Sequence, residues 1–255
     1  MALIDPTGLL SGDAPSIRPN LGVVDAASYR PTVTAGGIAT IFGYSLGYSL
    51  ASAVASAAAV PLSTVLGGTQ VTIGGIGVSL FYVSPSQINL QIPWELAGQS
   101  QADVVVTTGI GSSTAAKINI SDTAPAIFTA NGSGNGQGVV VDVRGQIALA
   151  ATPVARGEYI LIYCLELGAV ANRPSTGVAV VDASSPTLVT PIVTIADVQI
   201  RASFAGLAPG FAGVYQVNAQ VLPGITPGPA LPLTVRINGA ESQTVTIAGI
   251  GRAHV

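Results

Sequence analysis

Reactive residue types are almost missing from this 255-residue sequence, which contains one histidine and one cysteine. The histidine, His254, is the penultimate residue, so a Ser-His-Asp triad or a histidine metal site would have to draw its base or ligand from the chain end. The cysteine, Cys164, rules out an internal disulfide and lies in an apolar run typical of a buried strand. We therefore expect neither nucleophilic catalysis nor a metal site.

Charge is also scarce, because only 8% of the residues are charged, compared with about 25% in ordinary soluble domains. The net charge is −3 and the only lysine is Lys117, so no basic face is available for a nucleic-acid backbone. The aspartates stand singly near predicted turns, where turn formation explains them better than acid–base catalysis. The sequence thus predicts a protein that is not an enzyme, needs no cofactor and binds no nucleic acid.

Long hydrophobic runs are absent, since no apolar stretch reaches the roughly 20 residues of a membrane-spanning helix. The longest candidate, residues 50–62, is rich in Ala and Ser and lacks helix caps, so we expect an extended or irregular connection there. Residues 1–6 lack a basic region followed by a long apolar stretch. No signal peptide is therefore visible, and a leader has either been removed or cannot be recognised.

Hydrophobic residues, in contrast, make up 49% of the chain, and 31 glycines and 17 prolines divide them into short runs. Residues 87–92 show the pattern best, because aliphatic side chains alternate there with amide side chains. Such a strand is half buried, with a row of amides on its outer face, and Pro93 ends it. Many strands of this kind predict an all-β sandwich.

The second half of the sequence repeats the pattern of the first half in the same order, which indicates one fold present twice. We predict two tandem immunoglobulin-like β-sandwich domains, at residues 21–130 and 131–248, with an extended N-terminal arm at 1–20 and a C-terminal tail at 249–255. The run 131–138 has the composition of a flexible linker. The matched segments are residues 37–43 with 157–163, 70–73 with 192–195, 86–92 with 215–221, 104–109 with 233–239, and 113–118 with 242–247.

Several short motifs carry a resemblance to a known family. They are residues 22–29 (GVVDAASY), 38–43 (IATIFG), 81–89 (FYVSPSQIN), 91–95 (QIPWE), 206–211 (GLAPGF) and 215–218 (YQVN). With these motifs in this order, the chain resembles the large paralogous family of uncharacterised acidobacterial extracellular domains found at the C-terminal end of secreted proteins. Each half also resembles, more weakly, the IPT/TIG class of immunoglobulin-like domains. The resemblance implies tandem β-sandwiches in a secreted protein and brings no catalytic residues.

The arm and the sparsely charged surface together favour self-association. An arm that pairs with an open sheet edge of the next subunit would bury its aliphatic side chains, and head-to-tail repetition of that contact would build a fibre. The sequence therefore predicts a bacterial structural protein, the homopolymeric subunit of an extracellular filament or a cell-surface layer. The alternative interpretation of the arm is a disordered terminus. The candidate assembly contacts are Leu3, Ile4, Leu9 and Leu10.

An adhesive or carbohydrate-binding module of a secreted protein is the rival hypothesis. Trp94 and Tyr82 are the candidate contacts for a cell-surface glycan, because aromatic rings stack on sugars, although a lone tryptophan at a strand end more often covers a core. Asn131, in the sequence Asn-Gly-Ser, is a candidate glycosylation site.

Overall fold

The computed structural model describes residues 13–47 and 54–248, and these are built almost entirely from β-strands and their connections. The chain divides into two compact units, and each is an immunoglobulin-like sandwich of two β-sheets, as the sequence predicts. Unit 1 comprises Met1–Ser121 and Pro174–Ala179, and unit 2 comprises Asp122–Arg173 and Val180–Val255.

The division between the units falls at Ser121 and Asp122, whereas the composition of the sequence places it near residue 130. The run 131–138 lies inside unit 2 because part of it, Gly136–Gln137, pairs as a strand of that unit. At the other end of the chain, Ser16–Ile17 pair as a strand of unit 1, so the end of the predicted arm belongs to the first sandwich.

Unit 1 consists of two sheets. The strands are β1 (Ser16–Ile17), β2 (Val23–Asp25), β3 (Thr32–Val33), β4 (Ile38–Tyr44), β5 (Ala55–Ser56), β6 (Val65–Leu66), β7 (Thr69–Ile73), β8 (Ile76–Gly77), β9 (Ser79–Val83), β10 (Gln87–Gln91), β11 (Gln101–Thr108), β12 (Gly111–Ser112) and β13 (Ala116–Ile120). The first sheet has the order β1-β4-β10-β9-β5, with β2 also on β4. The second has the order β3-β13-β11-β7-β6, with β12 on β11 and β8 on β7.

The core of unit 1 lies between its two sheets, because alternate residues of each strand face inward. Strand β11 shows this most clearly, since exposed or partly exposed residues alternate with buried ones along its length. Ile41 and Leu90 of the first sheet and Ile73 and Val104 of the second are fully buried in one cluster. Each such side chain contributes about 1.5–3 kcal/mol when it leaves water.

Unit 2 repeats this plan. The strands are β14 (Ala126–Ile127), β15 (Gly136–Gln137), β16 (Val140–Asp142), β17 (Tyr159–Leu165), β18 (Ile192–Ile195), β19 (Val198–Arg201), β20 (Phe204–Leu207), β21 (Tyr215–Gln220), β22 (Leu231–Ile237), β23 (Ala240–Glu241) and β24 (Val245–Ile247). One sheet has the order β14-β17-β21-β20, with β16 also on β17, and the other has the order β15-β24-β22-β18-β19, with β23 on β22.

A buried tyrosine anchors the core of unit 2. Tyr215 of β21 is fully buried, and its hydroxyl donates a hydrogen bond to the carbonyl of Gly168. Burial, with a smaller effect from the charge of Glu166, raises the pKa of Tyr215 well above its usual value. The hydroxyl therefore stays protonated and remains a donor, which satisfies the polar end of an otherwise apolar side chain.

Unit 1 also contains Pro174–Ala179, a segment from the second half of the chain. Gly177 accepts a hydrogen bond from the backbone of Leu62 at 2.8 Å and donates one to the side-chain oxygen of Gln91 at 2.6 Å. The amide of Gln91 in turn donates to the carbonyl of Gly36 at 3.0 Å. Gln91 is therefore buried, although the alternation of residues 87–92 predicts it on the outer face.

The connection predicted at residues 50–62 is described from residue 54 onwards. It contains the short strand β5 and no helix over residues 54–62, in agreement with the expected irregular path. Within the described ranges, no helix is long and apolar enough to cross a membrane.

Substitution of two glycines tests whether the Trp94 indole packs on Gly36 in unit 1. Gly36 and Gly98 both have φ of 82°, but a Cβ on Gly36 would lie 2.3 Å from the ring of Trp94, whereas one on Gly98 would meet nothing within 4 Å. Gly36→Ala should therefore lower the free energy of unfolding by about 1–3 kcal/mol more than Gly98→Ala, which adds only backbone strain. Denaturant unfolding measures both, and equal losses would show that the indole does not pack on Gly36.

Candidate functional site

Metal-ligating side chains are not clustered in the described part of the chain. No three His, Cys, Asp or Glu side chains come together there in a way that could hold a metal ion. Cys164 is buried in β17, and burial raises the pKa of its thiol. The thiol stays protonated and unreactive as a core side chain. His254 lies outside the described residues.

Two aspartates at matching strand ends build turns. Asp25 ends β2 and accepts three backbone hydrogen bonds from the residues that follow it. Asp142 ends β16, accepts the backbone N–H of Arg144 and Gln146, and forms an ion pair with the Arg144 guanidinium. The bond from Gln146 and the contacts of Arg144 lower the pKa of Asp142 despite partial desolvation. Both carboxylates therefore act in turn formation.

The candidate glycan contacts Trp94 and Tyr82 lie in different surroundings. Trp94 is only 3% exposed, and its ring occupies the space above Gly36. Tyr82 lies partly exposed in β9, opposite Asn89 of β10. The burial of the indole favours the core-covering interpretation of Trp94 and leaves Tyr82 as the more accessible of the two rings.

Amide side chains and aromatic rings share the outer face of the first sheet in unit 1. Gln87 donates to Asn89 at 2.8 Å, and Thr40 donates to the same oxygen of Asn89 at 3.1 Å. Phe42 pairs across from Gln87, while Tyr82 pairs across from Asn89. Gln87 and Asn89 of the predicted amide row thus lie side by side with a ring on either side of them, whereas Gln91 is buried.

Unit 2 carries a similar row on its corresponding sheet. Gln216 donates to Asn218 at 2.7 Å. Tyr163 pairs across from Gln216, and Phe204 pairs across from Asn218. Each unit therefore presents amides flanked by aromatic residues, a composition that suits hydrogen bonding and stacking with sugars.

The coverage of the sheet edges differs between the units. In both, two short strands cover the outer edge of a long one: β1 and β2 on β4 in unit 1, and β14 and β16 on β17 in unit 2. The loop between these short strands is residues 18–22 in unit 1 and the longer 128–139 in unit 2. The matching pairs are Ile17 with Gly43 and Val23 with Ile41 in unit 1, and Ile127 with Cys164 and Val140 with Ile162 in unit 2.

Two serines in equivalent positions show which residues of β13 in unit 1 correspond to which residues of β24 in unit 2. The hydroxyl of Ser113 accepts the backbone N–H of Val106 at 3.0 Å, and that of Ser242 accepts the backbone N–H of Val235 at the same distance. Counting from these serines, the matching residues are Thr114 and Gln243, Ala116 and Val245, and Lys117 and Thr246.

In unit 2 the longer loop crosses to the second sheet and closes its edge. Its strand β15 pairs in parallel with β24, and the N–H of Gly138 donates to the carbonyl of Thr246 at 2.9 Å. The buried side chain of Gln243 bonds to both backbone groups of Ile127, at 3.1 and 2.6 Å. This edge of the unit 2 sandwich is therefore occupied.

In unit 1 the shorter loop leaves the corresponding edge open. The outer side of β13 pairs with β3 through Asn119 and Ile120, and no other described strand pairs with that side. The rest of this edge faces residues 17–23 across a cavity of about 440 Å³. We call this cavity, lined by residues 17–23 and 114–119, the β13 groove. It is the candidate functional site, because an unpaired strand edge is a template for another strand.

Other predicted site residues are not tested by these contacts. Leu3, Ile4, Leu9 and Leu10 lie outside the described residues, so their role in assembly stays a prediction. Asn131 is exposed and accepts two hydrogen bonds from Ser133 in a turn. Its glycosylation likewise stays a prediction.

No known protein family matches the chain, and no curated protein matches it. Among solved structures, the chain is similar to SGBP-B of the Bacteroides ovatus mixed-linkage glucan utilization locus, in complex with a mixed-linkage heptasaccharide, at 13% identity and a TM-score of 0.38 over 94% of this chain and 47% of that one. The chain is also similar to SGBP-B from a complex xyloglucan utilization locus of Bacteroides uniformis, at 13% identity and a TM-score of 0.27, over 93% of this chain and 49% of that one. A tandem of immunoglobulin domains from titin is similar at 9% identity and a TM-score of 0.24, over 94% of this chain and 98% of that one. The chain thus spans about half the length of the two SGBP-B proteins.

The closed edge of unit 2 depends on Gln243. Gln243→Leu should lower the free energy of unfolding of unit 2 by about 1–3 kcal/mol, because the two backbone groups of Ile127 lose their partners in a buried place. Thr114→Leu, the same change in kind at the matching exposed position of unit 1, should alter stability by less than about 0.5 kcal/mol. Denaturant unfolding compares the variants, and a neutral Gln243→Leu would show that the amide does not secure this edge.

Proposed function

We propose that this chain is a non-enzymatic, extracellular structural protein that self-associates through its N-terminal arm as a subunit of a filament or surface layer. The observation that carries the proposal is the outer edge of β13, which no described strand other than β3 covers, whereas β15 closes the corresponding edge of unit 2. Natural proteins generally cover or charge such an edge, and an uncovered one accepts a strand from a partner.

The surface composition supports contact between identical copies. With 8% charged residues and a net charge of −3, the repulsion between copies is weak. Several aliphatic side chains are also exposed, including Leu21 at 60%, which lines the β13 groove. The proposed extracellular location draws on the resemblance to domains of secreted acidobacterial proteins, and membership of that family stays a prediction.

Removal of the arm tests this function. Deletion of residues 1–12 removes none of the described strands, so the protein should fold as before but remain monomeric, because it lacks the segment that fills a neighbour's sheet edge. Negative-stain imaging and light scattering measure the assembly of the wild type and the variant. Deletion of residues 249–255 serves as the control and should leave assembly unchanged. Assembly that survives the loss of residues 1–12 would rule out the arm.

Glycan binding is the second candidate, and the paired amide and aromatic rows of the two units favour it. Stacking of a sugar on Tyr82 beside Asn89 would require the ring and not its hydroxyl. On a glycan array, Tyr82→Ser should then abolish binding while Tyr82→Phe retains it. Equal binding by both variants would exclude this ring as the contact, and no binding by the wild type would contradict the glycan hypothesis.

A further inference from the structure

Backbone N–H and C=O groups of β13 point into the β13 groove, where a further strand could pair with them. The N–H of Ile120 donates to Ser100 at 2.9 Å, so by the alternation of an antiparallel ladder the backbone groups of Ile118 and Ala116 also point towards β11. Those of Lys117 and Ala115 point the other way, into the groove. In unit 2 the carbonyl of Thr246, the counterpart of Lys117, accepts its hydrogen bond from Gly138 of the crossing loop.

We infer that the β13 groove receives residues 7–12 of a second copy of this chain, as an extended strand that runs parallel to β13. This inference rests on the proposed self-association and identifies its acceptor site. The incoming strand supplies the N–H and C=O groups that β15 supplies in unit 2, and the backbone of Lys117 is their main partner.

The groove has room for side chains that unit 2 does not admit. In unit 2 a Cβ on Gly138 would lie 2.8 Å from a methyl carbon of Val245, so only glycine fits at that point. In unit 1 the residue in the place of Val245 is Ala116, which lacks both of the methyl groups. A strand carrying leucine can therefore occupy the β13 groove where its counterpart in unit 2 must be glycine.

Residues 7–12 suit this groove in composition and length. They contain Leu9 and Leu10, no charged side chain and no proline, so every residue can both donate and accept in a ladder. Six extended residues span about 20 Å, which exceeds the roughly 15 Å of the free edge. The neighbouring Asp5 is the only charged side chain of residues 1–12, and the groove lining includes the cations Arg18 and Lys117.

The parallel direction assigns the strand to a second copy. Ala14 lies beside Gly111, 3.6 Å from the position of a Cβ there, and this is beyond the end of the groove at which β13 begins. A strand parallel to β13 leaves the groove at the opposite end. With residues 7–12 in the groove, residue 12 would lie at that opposite end, and the two steps from residue 12 to Ala14 span at most about 7 Å. This is less than the roughly 15 Å needed to return to the starting end.

Disulfide trapping between full-length variants tests the inference. Leu10→Cys and Lys117→Cys proteins are mixed and mildly oxidised, and Leu9→Cys is tested in the same way. Neighbouring residues of a strand point to opposite faces, so one of the two leucine positions, not both, should share the face of Lys117 and cross-link with it. We expect about tenfold more dimer from that mixture than from either variant alone, because binding raises the local thiol concentration.

The control replaces Lys117→Cys by Val65→Cys, on β6 at the opposite edge of the same sheet. Val65 is 45% exposed, so a cysteine introduced there is accessible to solvent but lies far from the β13 groove. Its cross-linking with the leucine variants should therefore remain at the background level. The native Cys164 is common to all the variants and is buried, so it does not contribute.

The outcomes separate the groove from the proposed function. Copies that associate in light scattering but give no disulfide between Lys117→Cys and either leucine variant would overturn the groove assignment and leave self-association standing. Wild-type copies that do not associate would contradict the proposed function itself. A disulfide within a single chain of the double variant Leu10→Cys/Lys117→Cys, isolated as a monomer, would overturn the assignment to a second copy.

Discussion

The pairing of backbone groups at the sheet edges is the constraint on which the two halves of this protein depend. Both halves bury a comparable aliphatic core and cover their longest strand with two short ones. They differ in the loop between those short strands, which is long enough in unit 2 to reach β24 and too short in unit 1 to reach β13. Among the described residues, an edge that unit 2 pairs internally is therefore covered in unit 1 by β3 alone, and an uncovered strand edge can accept a strand from a partner.

Few charged side chains protect this edge of β13 against pairing with a second strand. A sheet edge is normally protected by charged side chains that repel a second strand, yet the groove lining offers only Arg18 and Lys117. Arg18 lies over the rings of Phe42 and Tyr44, and Lys117 forms an exposed ion pair with Asp103 at 2.9 Å. Both cations are thus engaged within unit 1, and their side chains give the groove little protection against an incoming strand.

Strand alternation and the internal repeat allowed the two sandwiches and the outer-face position of Gln87 and Asn89 to be predicted from the sequence, and composition indicated that the single aspartates, Asp25 and Asp142 among them, form turns. The same alternation fails at Gln91, which is buried because Gly177, far along the chain, bonds to it. The boundary at Ser121 also differs from the composition signal, since residues 131–138 resemble a linker but supply a strand. In each case a partner distant in the sequence decides the outcome.

The sequence by itself determined the fold class and the repetition of that fold, because these follow from local periodicity and composition. Only the tertiary structure decided where the β13 groove lies. The unequal lengths of loops 18–22 and 128–139 are visible in the sequence, but their meaning depends on which strand each loop can reach. That reach is a property of the folded sheets, in which β13 and β24 lie next to residues far from them along the chain.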